Sequence, residues 1–303
     1  MAFSGKVAVL MGGVGSEREV SLNSGENVVR ALTSEGIDAC GVDITPENMA
    51  ILDDKSIDIF FIMLHGTWGE DGSLQSELEA KGLRFTGSDS KSSKMSFDKI
   101  KTKEILKANN LPTPHWITID KDSNWESVAS ELENMGEKVV IKPACEGSST
   151  GVMIVDKSDA LQTAQQCTAK YGRSLIEKFI KAREFTVGIL AGDALPLIEI
   201  CPKESFYDYN AKYISDSTEY LFDTLADGKL ISDMQQSALK CFEAMGCRGF
   251  SRVDFLLTED NSFYILEINT IPGFTSHSLL PKAAEKSGLS QGQLCVKILE
   301  SAE

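Results

Sequence analysis

Short apolar runs alternate with Gly-rich polar turns in the first third of the chain. Residues 6–11, 39–44 and 57–64 read as strands, the first apolar after its opening Lys, as in a buried parallel sheet. Between the first two, Val20, Val28, Val29 and Leu32 recur on one face of a helix that opens near Ser21. A second helix spans 73–81, and 85–88 closes this small α/β unit. From residue 94 the layout changes. A helix over 94–109 carries Lys99 and Lys103 on adjacent turns, and Leu111-Pro112-Thr113-Pro114 breaks it. Strands follow at 139–143, 152–155, 175–180 and 185–190, then a segment at 198–202 and an amphipathic helix over 233–245. The stretch from Phe206 to about Phe222 is aromatic and polar without a clear period, the pattern of a lid rather than of disorder.

A hairpin at 249–257 and 263–269 breaks the apolar pattern with three polar residues, Asp254, Glu267 and Asn269. A turn centred on Asp260-Asn261 sets Asp254 opposite Glu267 and Arg252 opposite Asn269, and positions i and i+2 share a face. Facing carboxylates repel unless neutralised. Two carboxylates and an amide form an all-oxygen set suited to Mg²⁺. Val253, Phe255, Leu257, Tyr264, Leu266 and Ile268 are the expected core face, with Leu256 and Ile265 on the other. The competing reading is a solvated strand face, and a one-residue slip would separate the carboxylates.

Composition narrows the classes. The 303 residues carry a net charge of −15, which argues against a nucleic-acid surface but permits a local basic pocket. No apolar run reaches the ~20 residues of a membrane span, and residues 1–5 run straight into a strand without a signal-peptide pattern. The seven cysteines are scattered without metal spacing, as reduced thiols of a cytoplasmic protein are.

The loops at strand ends supply candidate chemistry. Gly12-Gly13-Val14-Gly15-Ser16-Glu17 lacks dinucleotide-fingerprint spacing, and acidic Glu17 suits an ammonium group; an exposed helix-start acid is the alternative. His65 follows the third strand. Residues 144–151 form a small-residue loop between strands, able to fold over phosphates, with Lys142 and Lys99 as cations. Glu177 and Glu184 are paired acids able to hold an adenine amino group and ribose hydroxyls, or ordinary surface residues.

In order, the motifs are Gly-Gly-x-x-x-Glu-Arg-Glu-Val-Ser-Leu (12–22), Leu-His-Gly-x-x-Gly-Glu-Asp-Gly (64–72) and Lys-Pro-x-x-Glu-Gly-Ser-Ser (142–149). There follow Glu-Lys-Phe and Glu-Phe-Thr-Val (177–187), Tyr-Asp-Tyr-x-Ala-Lys-Tyr (207–213), Arg-x-Asp-Phe (252–255) and Glu-x-Asn-Thr-x-Pro-Gly-Phe-Thr-x-His-Ser (267–278). Together they resemble the D-alanine–D-alanine ligases of the ATP-grasp superfamily over essentially 5–300.

The resemblance implies an α/β protein, α+β in its ATP-binding part: a parallel N-terminal unit (1–93), a central ATP-grasp subdomain (94–181) and a catalytic domain (182–303) with a lid at about 203–224. It implies that ATP phosphorylates one D-alanine and the amine of a second attacks the acyl phosphate. Glu17, Ser148 and Tyr213 match the first substrate's holders, with His65 nearby. Arg252 and the Gly273 N–H match the oxyanion donors, and Ser278, Leu279 and Lys212 match the holders of the second carboxylate. ATP contacts map to Lys99, Lys142, Ser148, Ser149, Glu177, Phe179, Ile180 and Glu184. Asp254, Glu267 and Asn269 match the ligands of Mg²⁺ or Mn²⁺, two ions in all, and a homodimer is implied. Gly15 and Ala144-Cys145 depart from the family pattern; Tyr213 is retained, as in amide-forming members. The alternatives are a carboxylate–amine ligase for other amino acids and a non-catalytic nucleotide-binding relative.

Overall fold

The computed structural model describes residue 3 and residues 5–202 and 218–302. Strand β1 (Val7–Gly12) lies between β2 (Ala39–Ile44) and β3 (Ile59–Ile62), parallel to both. All six β1 residues are buried, as their apolar run requires. Helix α1 (Arg18–Ser34) starts three residues before the expected Ser21 and turns Val28, Ala31 and Leu32 onto the sheet. Helix α2 is Ser73–Ala80.

The expected helix over 94–109 is two helices, α3 (Ser90–Phe97) and α4 (Lys99–Ala108). Asp98 separates them: its backbone is extended, and its carboxylate accepts the N–H groups of Ile100 and Lys101 at 3.0 and 3.1 Å. An acid that reads as one more polar helical position is in fact an N-cap.

A four-stranded antiparallel sheet follows, ordered β4 (Trp116–Ile119), β7 (Ser174–Lys178), β5 (Lys138–Pro143), β6 (Met153–Asp156). Helices α5 (Trp125–Leu132) and α6 (Ala160–Tyr171) cover one face, burying Val128, Leu132, Ala164 and Cys167 against Ile117, Val139 and Ile141. The third sheet is antiparallel throughout. Its path is β11 (Glu219–Leu221), β10 (Ile198–Cys201), β8 (Arg183–Leu190), β12 (Phe250–Leu257), β13 (Phe263–Asn269), and the two-residue β9 (Asp193–Ala194) pairs with β8. Helix α7 (Gly228–Ala244) begins five residues before the expected start, where Asp227 caps it, and buries Met234, Ala238 and Cys241 on this sheet.

One core joins the two ends of the chain. Phe61 of β3, Phe250 of β12 and Phe274 meet with ring centroids 6.2–6.4 Å apart. Helices α8 (Leu279–Lys286) and α9 (Gln291–Glu300) return to the same core through Leu280, Leu294 and Ile298. The shared core thus joins the first and third sheets, and loops from both line one cleft.

The hairpin register corrects one expectation and preserves another. Asp254 pairs with Glu267 and Arg252 with Asn269, as expected. Nearer the turn, Leu257 pairs with Phe263 and Phe255 with Ile265, one residue off the expected register. Leu266 is the extra residue of a bulge that restores it. The bulge also exchanges faces: Ile265 is fully buried in the core, whereas Leu266 lines a cleft and Tyr264 is only half-buried.

Candidate active site

A cleft of about 400 Å³ opens where the three sheets meet. Glu17, His65, Lys99, Lys142, Ser148, Ser149, Glu177, Phe179, Ile180 and Glu184 line it. So do Arg252, Asp254, Glu267, Asn269, Gly273, Ser278 and Leu279. Lys212 and Tyr213, and the expected lid over 203–217, lie outside the described residues.

Glu17 begins α1 but does not cap it with its side chain. It is buried, and its carboxylate accepts the Ser148 hydroxyl across the cleft in a very short hydrogen bond. Two glycines make room. A Cβ on Gly66 would stand 2.3 Å from Glu17 Oε2, and one on Gly147 would stand 2.9 Å from it. Gly66 also has φ of +70°, which disfavours a side chain there. The glycines of the second and third motifs thus let two loops close on one carboxylate. Glu17 is thus a buried acid facing the cleft, not the exposed helix-start alternative.

His65 Nε2 lies 3.3 Å from Ser24 Oγ, which also accepts the Phe274 N–H at 3.2 Å. Burial lowers the His65 pKa to about 4, so the imidazole is neutral at physiological pH. The unfolded chain takes up a proton near pH 6.5 while the native one does not until about pH 4. Stability from this group is therefore complete above pH 6.5 and falls as pH drops toward 4, by up to about 3 kcal/mol. Urea unfolding of His65→Gln should show a shallower acid loss than the wild type between pH 6.5 and 4. Equal slopes would contradict the assignment.

Glu70 is a buried acid whose role sequence reading did not assign, although the motif containing it was recognised. It accepts the Gly66 N–H at 2.7 Å and lines the cleft. Burial first, then the charge of Glu17, pushes its carboxyl well above the ordinary range.

The lysine-bearing wall is built on α4 and the central sheet. Lys99 Nζ donates to the Glu146 carbonyl at 2.6 Å and lies 3.8 Å from Glu267 Oε2. Lys142 Nζ lies 2.6 Å from Glu177 Oε2. Glu177 is buried, not a surface acid: burial drives its carboxyl up, but Lys142 and Lys103 outweigh this and hold it below the ordinary range. Ser148 and Ser149 have φ of 47° and 60°, so the loop between β5 and β6 turns back in the left-handed region at both serines.

On the opposite wall, Arg252 Nε and Nη2 each donate to Asp254 at 2.8 Å, and the Thr186 hydroxyl donates to Asp254 Oδ1 at 2.6 Å. Asn269 Oδ1 accepts the Ile271 N–H at 3.0 Å and retains a second lone pair. Among the described residues no three or more of His, Cys, Asp and Glu gather as a metal centre, so the set rests on two carboxylates and one amide. Oxygen donors on paired strands, balanced by Arg252 and Lys99, fit a hard divalent cation bound jointly with phosphates.

Ser278 precedes α8, its hydroxyl accepting the Thr275 N–H at 2.8 Å. A Cβ on Gly273 would stand 2.8 Å from that hydroxyl, so the Gly273 backbone runs against it.

Three residues were given no role by sequence reading: Glu70, Thr186 and Lys103. Lys103 had a signal, since it stands midway between Ile100 and Leu106 on the buried stripe of α4.

Lysines and a backbone loop stand on one wall of the cleft and oxygen donors on the other, between two antiparallel sheets. That is the ATP-grasp arrangement, and the class is that of an ATP-dependent carboxylate–amine ligase. Comparison with known proteins narrows this. The family models "D-ala D-ala ligase N-terminus" and "D-ala D-ala ligase C-terminus" match residues 48–88 and 105–300. The D-alanine--D-alanine ligase of Xanthomonas axonopodis pv. citri is 44% identical over 98% of this chain and 94% of its own length. That of Saccharophagus degradans is 42% identical over 97% and 93%. The D-alanine--D-alanine ligase of Bacillus anthracis complexed with ATP superposes with a TM-score of 0.86 at 32% identity, over 98% of this chain and 97% of that one. The chain belongs to the D-alanine–D-alanine ligase family.

Proposed function

We propose that this chain uses ATP to join two D-alanines into D-alanyl-D-alanine through a D-alanyl phosphate, for peptidoglycan precursor synthesis. One observation carries the reading: Glu17 and Ser278, from opposite ends of the chain, line the same cleft as Lys142 and Asp254. Glu17 with Ser148 holds the ammonium of the first D-alanine, and His65 shapes that pocket. Lys99, Lys142 and the loop bearing Ser148 and Ser149 hold the phosphates; Glu177, Phe179, Ile180 and Glu184 hold the adenosine. Phosphorylation brings two anions together, which requires fixed cations. Arg252 and the Gly273 N–H receive the oxygen charge of the tetrahedral intermediate. Ser278, Leu279 and Lys212 hold the second carboxylate, and Tyr213 closes the site against water. Asp254, Glu267 and Asn269 hold Mg²⁺ or Mn²⁺, two ions, which supply Lewis-acid stabilisation to the phosphates when bound. The functional units are 1–93, 94–181 and 182–303, working as a homodimer in the cytoplasm; among the described residues no helix is long and apolar enough to cross a membrane.

Phosphate release from ATP tests the reading. D-alanine alone should support turnover, D-alanine with D-lactate should give no mixed product, and L-alanine should be inert. D-serine as second substrate is a needed arm, because the VanG D-Ala:D-Ser ligase of Enterococcus faecalis superposes with a TM-score of 0.85 at 28% identity, over 98% of this chain and 99% of that one. Release with L-amino acids but not with D-alanine would refute the proposal.

A further inference from the structure

Behind the phosphate wall lies a buried lysine that the reaction as described does not use. Lys103 is 1% exposed and does not line the cleft. Its ammonium is held within the protein on three sides: it donates to Thr113 Oγ1 at 2.8 Å and to the Pro114 carbonyl at 3.2 Å, and it forms a very short ion pair with Glu177 Oε1. The Trp116 ring covers it, 5.5 Å from its centroid. Glu177 is thereby shared: Oε1 belongs to Lys103 and Oε2 to Lys142, which does line the cleft. Two ammonium groups on one carboxylate leave one surplus positive charge.

We propose that Lys103 is a positioning residue that keeps Glu177 paired, so that Lys142 is free to leave it for the phosphates of ATP. The proposal rests on the ATP-dependent reading above. If Glu177 had Lys142 as its only cation, moving Lys142 to a phosphate would strand a buried carboxylate, which is costly. With Lys103 fixed, the Lys103–Glu177 pair stays neutral and Lys142 carries the surplus charge. Helix α4 makes this possible: Lys99 and Lys103, one turn apart, put one cation at the cleft and one behind it.

Burial is the main cause that brings Lys103 down to about 8, with Glu177 pulling up and Lys142 pulling down. The charged groups around it are Glu177 on β7, Lys142 on β5, Glu267 on β13 and, on its own helix, Lys107, which shares the Trp116 ring. Bound phosphates add negative charge and favour the ammonium. ATP therefore binds most tightly below pH 8 and loses affinity as pH rises through it.

Calorimetric titration of ATP with Mg²⁺, without D-alanine, tests this from pH 7 to 9. Wild-type affinity should fall about tenfold across that range, with net proton uptake at pH 8 seen by comparing two buffers. Lys103→Met should bind ATP about tenfold more weakly at pH 7. Its affinity should be flat to pH 9, and its KM for D-alanine should stay within about twofold of wild type. A purely structural lysine would not remove the pH limb. Flat wild-type affinity from pH 7 to 9 would overturn the proposal, and that arm decides even if the variant fails to fold. Wild-type ATP affinity at pH 7 in Lys103→Met would also overturn it while leaving the ligase reading intact. A wild-type protein that bound no ATP at any pH would overturn both.

Discussion

Replacing Glu267 by Gln should lower kcat by at least about 100-fold while leaving the fold intact. The substitution keeps size and one acceptor oxygen but removes a charge from the strand-paired carboxylates Asp254 and Glu267. Its structural cost is small: Glu267 is about a third exposed, and its contact with Lys99 is long at 3.8 Å, a pair worth little to stability. The functional cost is large, because a divalent cation contributes several kcal/mol to stabilising phosphoryl charge, which converts to two or more decades in rate. Bringing the triphosphate onto a D-alanine carboxylate places two anions in one site. In the proposed site, a neutral residue 267 would leave one carboxylate and one amide to hold the ion that offsets them. The Mg²⁺ concentration for half-maximal phosphate release should therefore rise roughly tenfold or more. Measuring turnover against Mg²⁺ separates this from a folding defect. Unchanged kcat with an unchanged Mg²⁺ dependence would remove Glu267 from the metal set.

The pairing of Glu267 with Asp254 was readable from sequence, but for an incomplete reason. Counting outward from a polar turn places the two acids opposite each other only if the ladder is regular. It is not: the turn begins one residue off and Leu266 bulges to recover the register. Alternation in sequence reports a local period, and a bulge changes the face of every residue on one side of it. Ile265 and Leu266 are both aliphatic, so nothing in their identity says which one points into the core. The break at Asp98 was equally hidden, because helix propensity changes little at an Asp while its capping hydrogen bonds depend on backbone direction. Loop chemistry was more legible. Glycines, an acid and lysines at strand ends have few structural reasons to occur together, and the cleft gathers Glu17, His65, Lys99, Lys142 and Gly147, while Gly12, Gly13, Gly15 and Gly66 do not line it. Buried polar partners were the least legible. Thr186 pairs with Asp254 only through the register of β8 on β12, a long-range fact that no local pattern contains.

Arg252→Lys should reduce kcat by roughly 10²–10³-fold, the effect of losing a donor aimed at a developing oxyanion. Charge is preserved, so the test isolates geometry. The guanidinium makes a fork on Asp254, with Nε and Nη2 each at 2.8 Å, and that fork fixes the plane of the group as it lines the cleft. A lysine ammonium is a compact point charge on a flexible stem and cannot satisfy Asp254 in the same way while presenting a fixed donor to the acyl oxygen. Asp254 keeps the Thr186 hydroxyl and a nearby cation, so its carboxylate is not stranded and the protein should melt within a few degrees of wild type. ATP affinity should change by only a few-fold, because the proposed phosphate holders Lys99 and Lys142 stand on the other wall. Binding of ATP with loss of kcat is the signature of an interaction made in the transition state and not in the ground state. Had Arg252 served only to neutralise Asp254, lysine would suffice and kcat would remain within about threefold. Steady-state phosphate release at saturating D-alanine, paired with an ATP binding titration, decides between the two.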